Sequence, residues 1–197
     1  MATASGSPYI VALGGTLRPN SSTEKALKAA LKSAEAMGAK TLLLGGADID
    51  LPMYAPERPE RSDKAQRLVD ELRRADGILV GSPGYHGGIS GLVKNALDYT
   101  EDMRADPAPY FEGRAVGCIV TAAGWQATVT TLASLRGVVH ALRGWPTPLG
   151  VTINTIEPAF DADGAVLSSR LQEQLDMVAQ QVVAFARMRA AQVPAGV

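Results

Sequence analysis

Five short runs rich in valine, isoleucine and leucine recur along the chain, at residues 9–13, 40–44, 77–81, 115–121 and 147–153, with segments of helical period between them. Each run is apolar without alternation, which is how a strand reads when both faces of its sheet are covered. Strands alternating with helices in this way predict a parallel α/β sheet, made doubly wound by right-handed crossovers. The helices are expected at 22–37, 63–74, 89–103, 128–143 and 168–189. Ser21, Ser62 and Ser168 stand where a hydroxyl can cap free amides, and Gly38 stands where a left-handed residue ends the first helix. With 197 residues, 46% of them hydrophobic, the chain is expected to form one domain over 1–197 with a substantial core, residues 1–8 being flexible.

Several function classes are disfavoured at once. The net charge is −1 and the lysines and arginines are dispersed, so no basic stripe is available for nucleic-acid phosphates. The one cysteine, Cys118, lies in an apolar run where a thiol behaves as a small hydrophobe, and intrachain disulfides are excluded. Two histidines, one cysteine and no HxxxH or CxxC spacing leave too few soft ligands for a structural zinc or iron–sulfur site, so no metal is assigned. Residues 1–8 lack a basic leader and no run approaches membrane-spanning length, so no membrane is expected and a cytoplasmic location is. A proline-rich stretch at 52–59 is expected to be a surface loop able to overhang a site.

Ligands of a doubly wound sheet sit beyond the carboxyl ends of its strands, which directs attention to the loops at 14–23, 82–88 and 122–127. The first of these, Gly14-Gly15-Thr16-Leu17-Arg18-Pro19-Asn20-Ser21-Ser22-Thr23, leaves a buried strand and opens a helix. Its free amides, with the helix dipole behind them, favour a dianion. Thr16, Ser21, Ser22 and Thr23 add hydroxyls, and Arg18 adds a charged fork that can hold a phosphate by two hydrogen bonds. The bland alternative is a glycine-rich turn with a serine cap. Neither GxGxxG nor GxxxxGK with a following Ser or Thr is present, which disfavours a dinucleotide site and a P-loop. Asp48, past the second strand, reads as a solvated loop acid.

In the second loop, Ser82-Pro83-Gly84-Tyr85-His86-Gly87-Gly88, glycines leave main-chain groups unobstructed beside a planar ligand such as a flavin. Tyr85 either covers such a ring or packs on the core, and His86 either contacts it or faces solvent. Lys94 and Asp98, four residues apart on the next helix, read as a weak surface pair. The third loop, Thr121-Ala122-Ala123-Gly124-Trp125-Gln126, is small enough at its centre for backbone to approach a ring edge. Trp125 either lines that pocket or anchors a subunit interface.

Together these loops resemble the NAD(P)H-dependent FMN reductase family, and the similarity covers nearly the whole chain. Gly14-Gly15-Thr16-Leu17-Arg18 with Ser21 is similar to the family's GS-x-R-x-x-S phosphate motif, with threonine for the usual serine. Ser82-Pro83-Gly84-Tyr85-His86-Gly87 resembles its SPEYNGS loop, with glycine and histidine in place of Glu and Asn, which puts a side-chain contact from position 86 in question. Gly91-Leu92-Val93-Lys94-Asn95-Ala96-Leu97-Asp98 resembles its PGxLKNAID helix.

The resemblance implies a flavodoxin-like domain whose five-stranded parallel sheet has the order 2-1-3-4-5, with FMN as cofactor and NADPH or NADH as hydride donor. By it Thr16, Arg18, Ser21 and Thr23, with Ser22 beside them, would hold the FMN phosphate. Pro83, Gly84, Tyr85, His86 and Gly87, with Thr121, Ala122, Ala123 and Gly124, would hold the isoalloxazine. FMN carries the hydride chemistry, so no catalytic side chain is assigned. The first expectation for the acceptor is a flavin, which makes the chain a flavin reductase for a partner monooxygenase; the alternatives are a quinone, an azo dye or a metal oxyanion such as chromate. The resemblance also implies homodimers or homotetramers with the helix at 89–103 near the interface. Members that treat flavin as a diffusible substrate can carry an inserted residue that makes a π-bulge in the helix after the third loop. No inserted tyrosine stands in 127–143, which favours retained FMN. Two rivals stay on the table. A flavodoxin-type electron carrier lacks support because its TxTGxT loop and strongly acidic surface are missing, and a colourless scaffold could use the same fold.

Overall fold

Each apolar run forms a strand. The computed structural model describes residues 6–192, and the expectation of a flexible stretch at 1–8 falls mostly on residues 1–5, outside the described residues. In chain order the elements are β1 (Tyr9–Gly14), α1 (Ser22–Ala36), β2 (Lys40–Leu44), α2 (Asp63–Arg74), β3 (Gly77–Tyr85), β4 (Gly88–Ile89) and α3 (Gly91–Asp98). A 3₁₀ turn (Tyr99–Met103) follows, then β5 (Ala115–Ala122), α4 (Trp125–Ala141), β6 (Trp145–Pro146), β7 (Val151–Asn154) and α5 (Ser169–Gln192). The three expected serine caps are in place: Ser21, Ser62 and Ser168 accept from the amides of Glu24, Ala65 and Leu171. Gly38 follows α1 with φ of 83°.

The sheet runs β2-β1-β3-β5-β6, with β7 also paired to β5 and the short β4 paired to the tip of β3. This is the flavodoxin-like order 2-1-3-4-5 once β6 and β7 are taken as two pieces of the fifth strand, each parallel to β5. The continuous strand expected at 147–153 is therefore corrected to two pieces, while the five-strand core stands with the short β4 added at the tip of β3. Pro146 and Pro148 have no N–H to give a ladder. Between the pieces the Leu149 amide turns to Gln181 Oε1 on α5 (3.0 Å), and the Arg136 guanidinium takes the carbonyls of Thr147 and Pro148.

Successive strand residues feed opposite layers. Ile10, Ala12, Leu79 and Ile119 pack under α1 and α5, whereas Val11, Leu13, Ile78, Val80, Val116, Cys118 and Val120 pack under α2, α3 and α4. Cys118 does behave as a small hydrophobe, and burial pushes its thiol up to about 12.

Helix boundaries differ from expectation by up to five residues, and two of the differences have a clear local cause. The third helix ends at Asp98 and tightens to 3₁₀ geometry, where the Thr100 hydroxyl donates back to the Leu97 carbonyl at 2.7 Å. The fourth begins at Trp125, three residues before position 128, because Gly124 turns the chain (φ 108°, ψ 142°) and its carbonyl already accepts from Thr128. Among the described residues no helix is long and apolar enough to cross a membrane.

Candidate functional site

By topology the loops after β1, β3 and β5 meet at the carboxyl end of the sheet. The first loop leaves flush against β3: a Cβ on Gly14 (φ 141°) would lie 1.9 Å from the Gly81 carbonyl oxygen, so no larger residue fits there. The Thr16 hydroxyl accepts from the Arg18 amide at 3.2 Å, and the Asn20 amide donates to Glu24 Oε2 at 3.2 Å. These local bonds shape the loop before any ligand is present. Ser21 caps Glu24 while the amides of Ser22 and Thr23 have no acceptor among the described residues, leaving donors at the start of a 15-residue helix. Arg18 is exposed and has no ion-pair partner among the described residues; Glu24 is neutralised by Lys28 at 2.6 Å. Thr23 sits differently from its neighbours. Its hydroxyl is buried and 2.6 Å from the Thr121 hydroxyl, so the two site candidates bond each other and tie the first loop to the third.

The second loop is a hairpin rather than an open loop. β3 runs on to Tyr85, Gly84 faces Ile89 and Tyr85 faces Gly88, leaving His86 (φ 51°) and Gly87 (φ 85°) as a two-residue turn. Positive φ at both positions is the type I′ signature that suits the twist of paired strands. His86 and Tyr85 are exposed on this tip, while Pro83 is buried. Beneath it Ser82, fully buried, accepts from the Ser90 amide at 3.0 Å and so fixes the hairpin to the cap of α3. Gly84 explains the departure from the family's Glu: a Cβ there would lie 2.6 Å from Thr131 Oγ1 and 3.1 Å from Ala122 Cβ, so α4 occupies the space of a side chain.

In the third loop Gly124 donates its N–H to Asn154 Oδ1 at 2.9 Å, and the same oxygen accepts from Ile156 at 3.1 Å. Asn154 on β7 thus holds the loop from outside, a positioning role with no local signal in the sequence. Alone among the five α-helices of the described residues, α4 starts without a side-chain cap, so the amides of Trp125, Gln126 and Ala127 have no acceptor among the described residues. Ala122 is buried within β5 and Ala123 is exposed.

The proline-rich loop is anchored by a residue from the helix motif. Asn95, buried, accepts from the Tyr54 amide (2.8 Å) and donates to the carbonyls of Leu51 and Pro52. Its signal was a polar residue among Val93, Ala96 and Leu97 on the apolar face. The Arg61 guanidinium, paired with Asp102, packs on the rings of Tyr54 and Tyr99. Asp48 is a turn residue more than a solvated acid, since it accepts from the Gly45 amide at 2.9 Å and pairs with Arg67 at 3.2 Å. Lys94 and Asp98 form the expected exposed pair at 2.6 Å.

The sequence pattern of the family described as NADPH-dependent FMN reductase matches residues 8–157. The chain belongs to that family. As a member it is an NAD(P)H-dependent oxidoreductase with FMN as cofactor. An FMN-dependent NADPH-azoreductase of Staphylococcus aureus is 29% identical over 139 residues, 70% of each chain. The FerB flavoenzyme NAD(P)H:(acceptor) oxidoreductase of Paracoccus denitrificans superposes with a TM-score of 0.68 at 23% identity, covering 92% of this chain and 98% of that one. A flavodoxin, WrbA-like protein of Agrobacterium tumefaciens gives 0.63 at 20% identity over 93% and 99%. These two likenesses speak for the shared fold. The donor set on these loops is of a kind that suits FMN: open amides and an unpaired guanidinium for a dianion, uncapped helix amides for a carbonyl edge.

Proposed function

We propose that this chain retains FMN across its three loops and reduces a small diffusible acceptor of the quinone or azo class, with NAD(P)H as hydride donor. FMN, when bound, supplies the hydride chemistry. In this reading Arg18, the hydroxyls of Thr16, Ser21 and Ser22 and the amides of Ser22 and Thr23 bind the phosphate. Thr121 acts through Thr23, keeping the two loops in register. Pro83, Gly84, Tyr85, His86 and Gly87 form the hairpin wall of the ring site, with Tyr85 shielding it from water. Ala122, Ala123 and Gly124 present backbone to the ring's polar edge together with the open amides of α4. No side chain is asked to move a proton.

The observation that supports retention is α4 itself, which is regular α-helix from Trp125 to Ala141 with no π-turn. Members that treat flavin as a diffusible substrate can carry the bulged form, so a regular α4 favours an enzyme that keeps its FMN and serves another acceptor. The azoreductase relatives fit the same reading. Exposed Leu17 and Met53, on the loops after β1 and β2, and Tyr85 at the end of β3 supply an apolar rim, which favours a homo-oligomer closed over this end of the sheet. A chain with one cysteine has no disulfide framework, in keeping with a cytoplasmic setting.

The test is spectroscopic. Protein loaded with FMN is passed through gel filtration, then titrated anaerobically with NADPH or NADH. Flavin that co-elutes with protein, bleaches on titration and recovers with a quinone or azo compound is the expected result. FMN lost to the small-molecule fraction on reduction would replace this reading with a flavin reductase supplying a monooxygenase. Binding without bleaching would indicate an electron carrier.

A further inference from the structure

A groove of about 500 Å³ lies against the outer side of the third loop, between Trp125, the end of β7 and the first turns of α5. Trp125 is 60% exposed there, a large aromatic surface left to water at the first position of α4. Arg170, at the start of α5, also lines the groove, exposed and without an acceptor or ion-pair partner among the described residues. Arg61 and Arg73, by contrast, are engaged with aspartates and Arg114 and Arg136 with carbonyls. Ser168 and Gln174 add polar groups on the α5 side, and Glu157 stands on the rim.

An indole face and a guanidinium fork across one groove make a matched pair of contacts. The indole stacks on a flat ring and the fork takes two oxygens of an anion. We propose that this groove binds an aromatic ring carrying a phosphate or sulfonate, the ring on Trp125 and the anion on Arg170. Asn154 lines the groove and also holds Gly124, so the ligand lies on the far side of the loop assigned above to the flavin ring. The proposal rests on that reading only for where such a ligand would come from. One source is the adenosine phosphate end of NAD(P)H; the other is a sulfonated aromatic acceptor. Glu157 opposes the anion, so neutralising it strengthens binding.

The full chain is titrated with adenosine 2′,5′-bisphosphate, with adenosine 5′-monophosphate and with a sulfonated azo dye, following tryptophan fluorescence and calorimetry. Trp125→Phe assigns the signal, because Trp145 is the other indole. Saturable quenching by at least one probe is expected. Arg170→Gln should weaken it tenfold or more, with Arg170→Lys between, and Glu157→Gln should tighten it several-fold. Binding of the bisphosphate alone assigns the groove to NADPH, of both nucleotides to either donor, and of the dye alone to the acceptor; all three support the proposal. Absence of binding by every probe, or equal binding by wild type and Arg170→Gln, overturns it. So does a Trp125→Ala variant that falls to a smaller oligomer, which would make the groove a subunit contact. FMN binding, read separately in the visible spectrum, should be unchanged in all five variants, so failure here leaves the flavin reading standing.

Discussion

The hydroxyls of Thr23 and Thr121, 98 residues apart in the chain, face each other at 2.6 Å in a buried position between the first turn of α1 and the end of β5. This one bond joins the loop that offers phosphate donors to the loop that offers backbone to the ring. Thr23→Val leaves the Thr121 hydroxyl buried without its partner, a loss of about 1–3 kcal/mol. Thr121→Val should cost a similar amount. The double variant should cost clearly less than the two singles summed, because no orphaned hydroxyl is left. Urea unfolding of the four proteins measures the coupling, and strict additivity would show that the pair is incidental.

Much of the fold was legible because its signals are local. A run without polar alternation marks a strand covered on both faces, and Ser21 or Ser62 marks a helix start through one hydroxyl and one amide three residues on. The Thr23–Thr121 bond was hidden for the opposite reason: each threonine reads alone as a phosphate donor, and only the parallel pairing of β1, β3 and β5 brings them together. Asn154 was equally silent, since its role depends on a loop 30 residues away. The hairpin at Tyr85 and the break at Pro146 and Pro148 did carry signals, a turn dipeptide and two missing N–H groups, that the apolar pattern outweighed.

Arg18 is the exposed cation of the first loop, with no protein partner among the described residues. If its fork meets the FMN phosphate, Arg18→Ala removes a charge-assisted contact worth about 1.5–3 kcal/mol, which is roughly ten- to a hundredfold in affinity. Riboflavin has no phosphate and should bind wild type and variant alike. Parallel titrations of the two flavins give the comparison; equal losses would remove Arg18 from the phosphate site.

His86 occupies the first turn position of the β3–β4 hairpin with φ of 51°, where asparagine is better tolerated than most side chains. His86→Asn should therefore raise stability by about 0.5–1 kcal/mol, seen as a higher unfolding midpoint with an unchanged denaturant slope. His86→Val, β-branched and poorly suited to positive φ, should lower it. FMN affinity should stay the same in His86→Asn if the tip contributes backbone alone. A change in affinity without a change in stability would assign the imidazole a direct ligand contact.

Tyr9 at the start of β1 donates its hydroxyl to Glu71 Oε2 at 2.6 Å, and Arg74 bonds the same carboxylate. Burial, then the neighbouring Glu71, pushes the phenol from 10.0 up to about 12. The bond from Tyr9, then that from Arg74, holds the Glu71 carboxyl below its usual range. The folded protein keeps the Tyr9 proton at pH values where the unfolded chain has released it. Its contribution is therefore complete below about pH 10 and is lost as pH rises towards 12. Glu71 works in the other direction: its contribution is present above the ordinary carboxyl range and fades as acid protonates the folded carboxylate. Tyr9→Phe removes the shared bond. Its deficit against wild type should be largest between pH 6 and 9, and should shrink on both the acid and the alkaline side. Urea midpoints of the two proteins at pH 3, 7, 9 and 11 read this out, and a deficit that stayed constant across the series would mean that the bond carries no proton linkage.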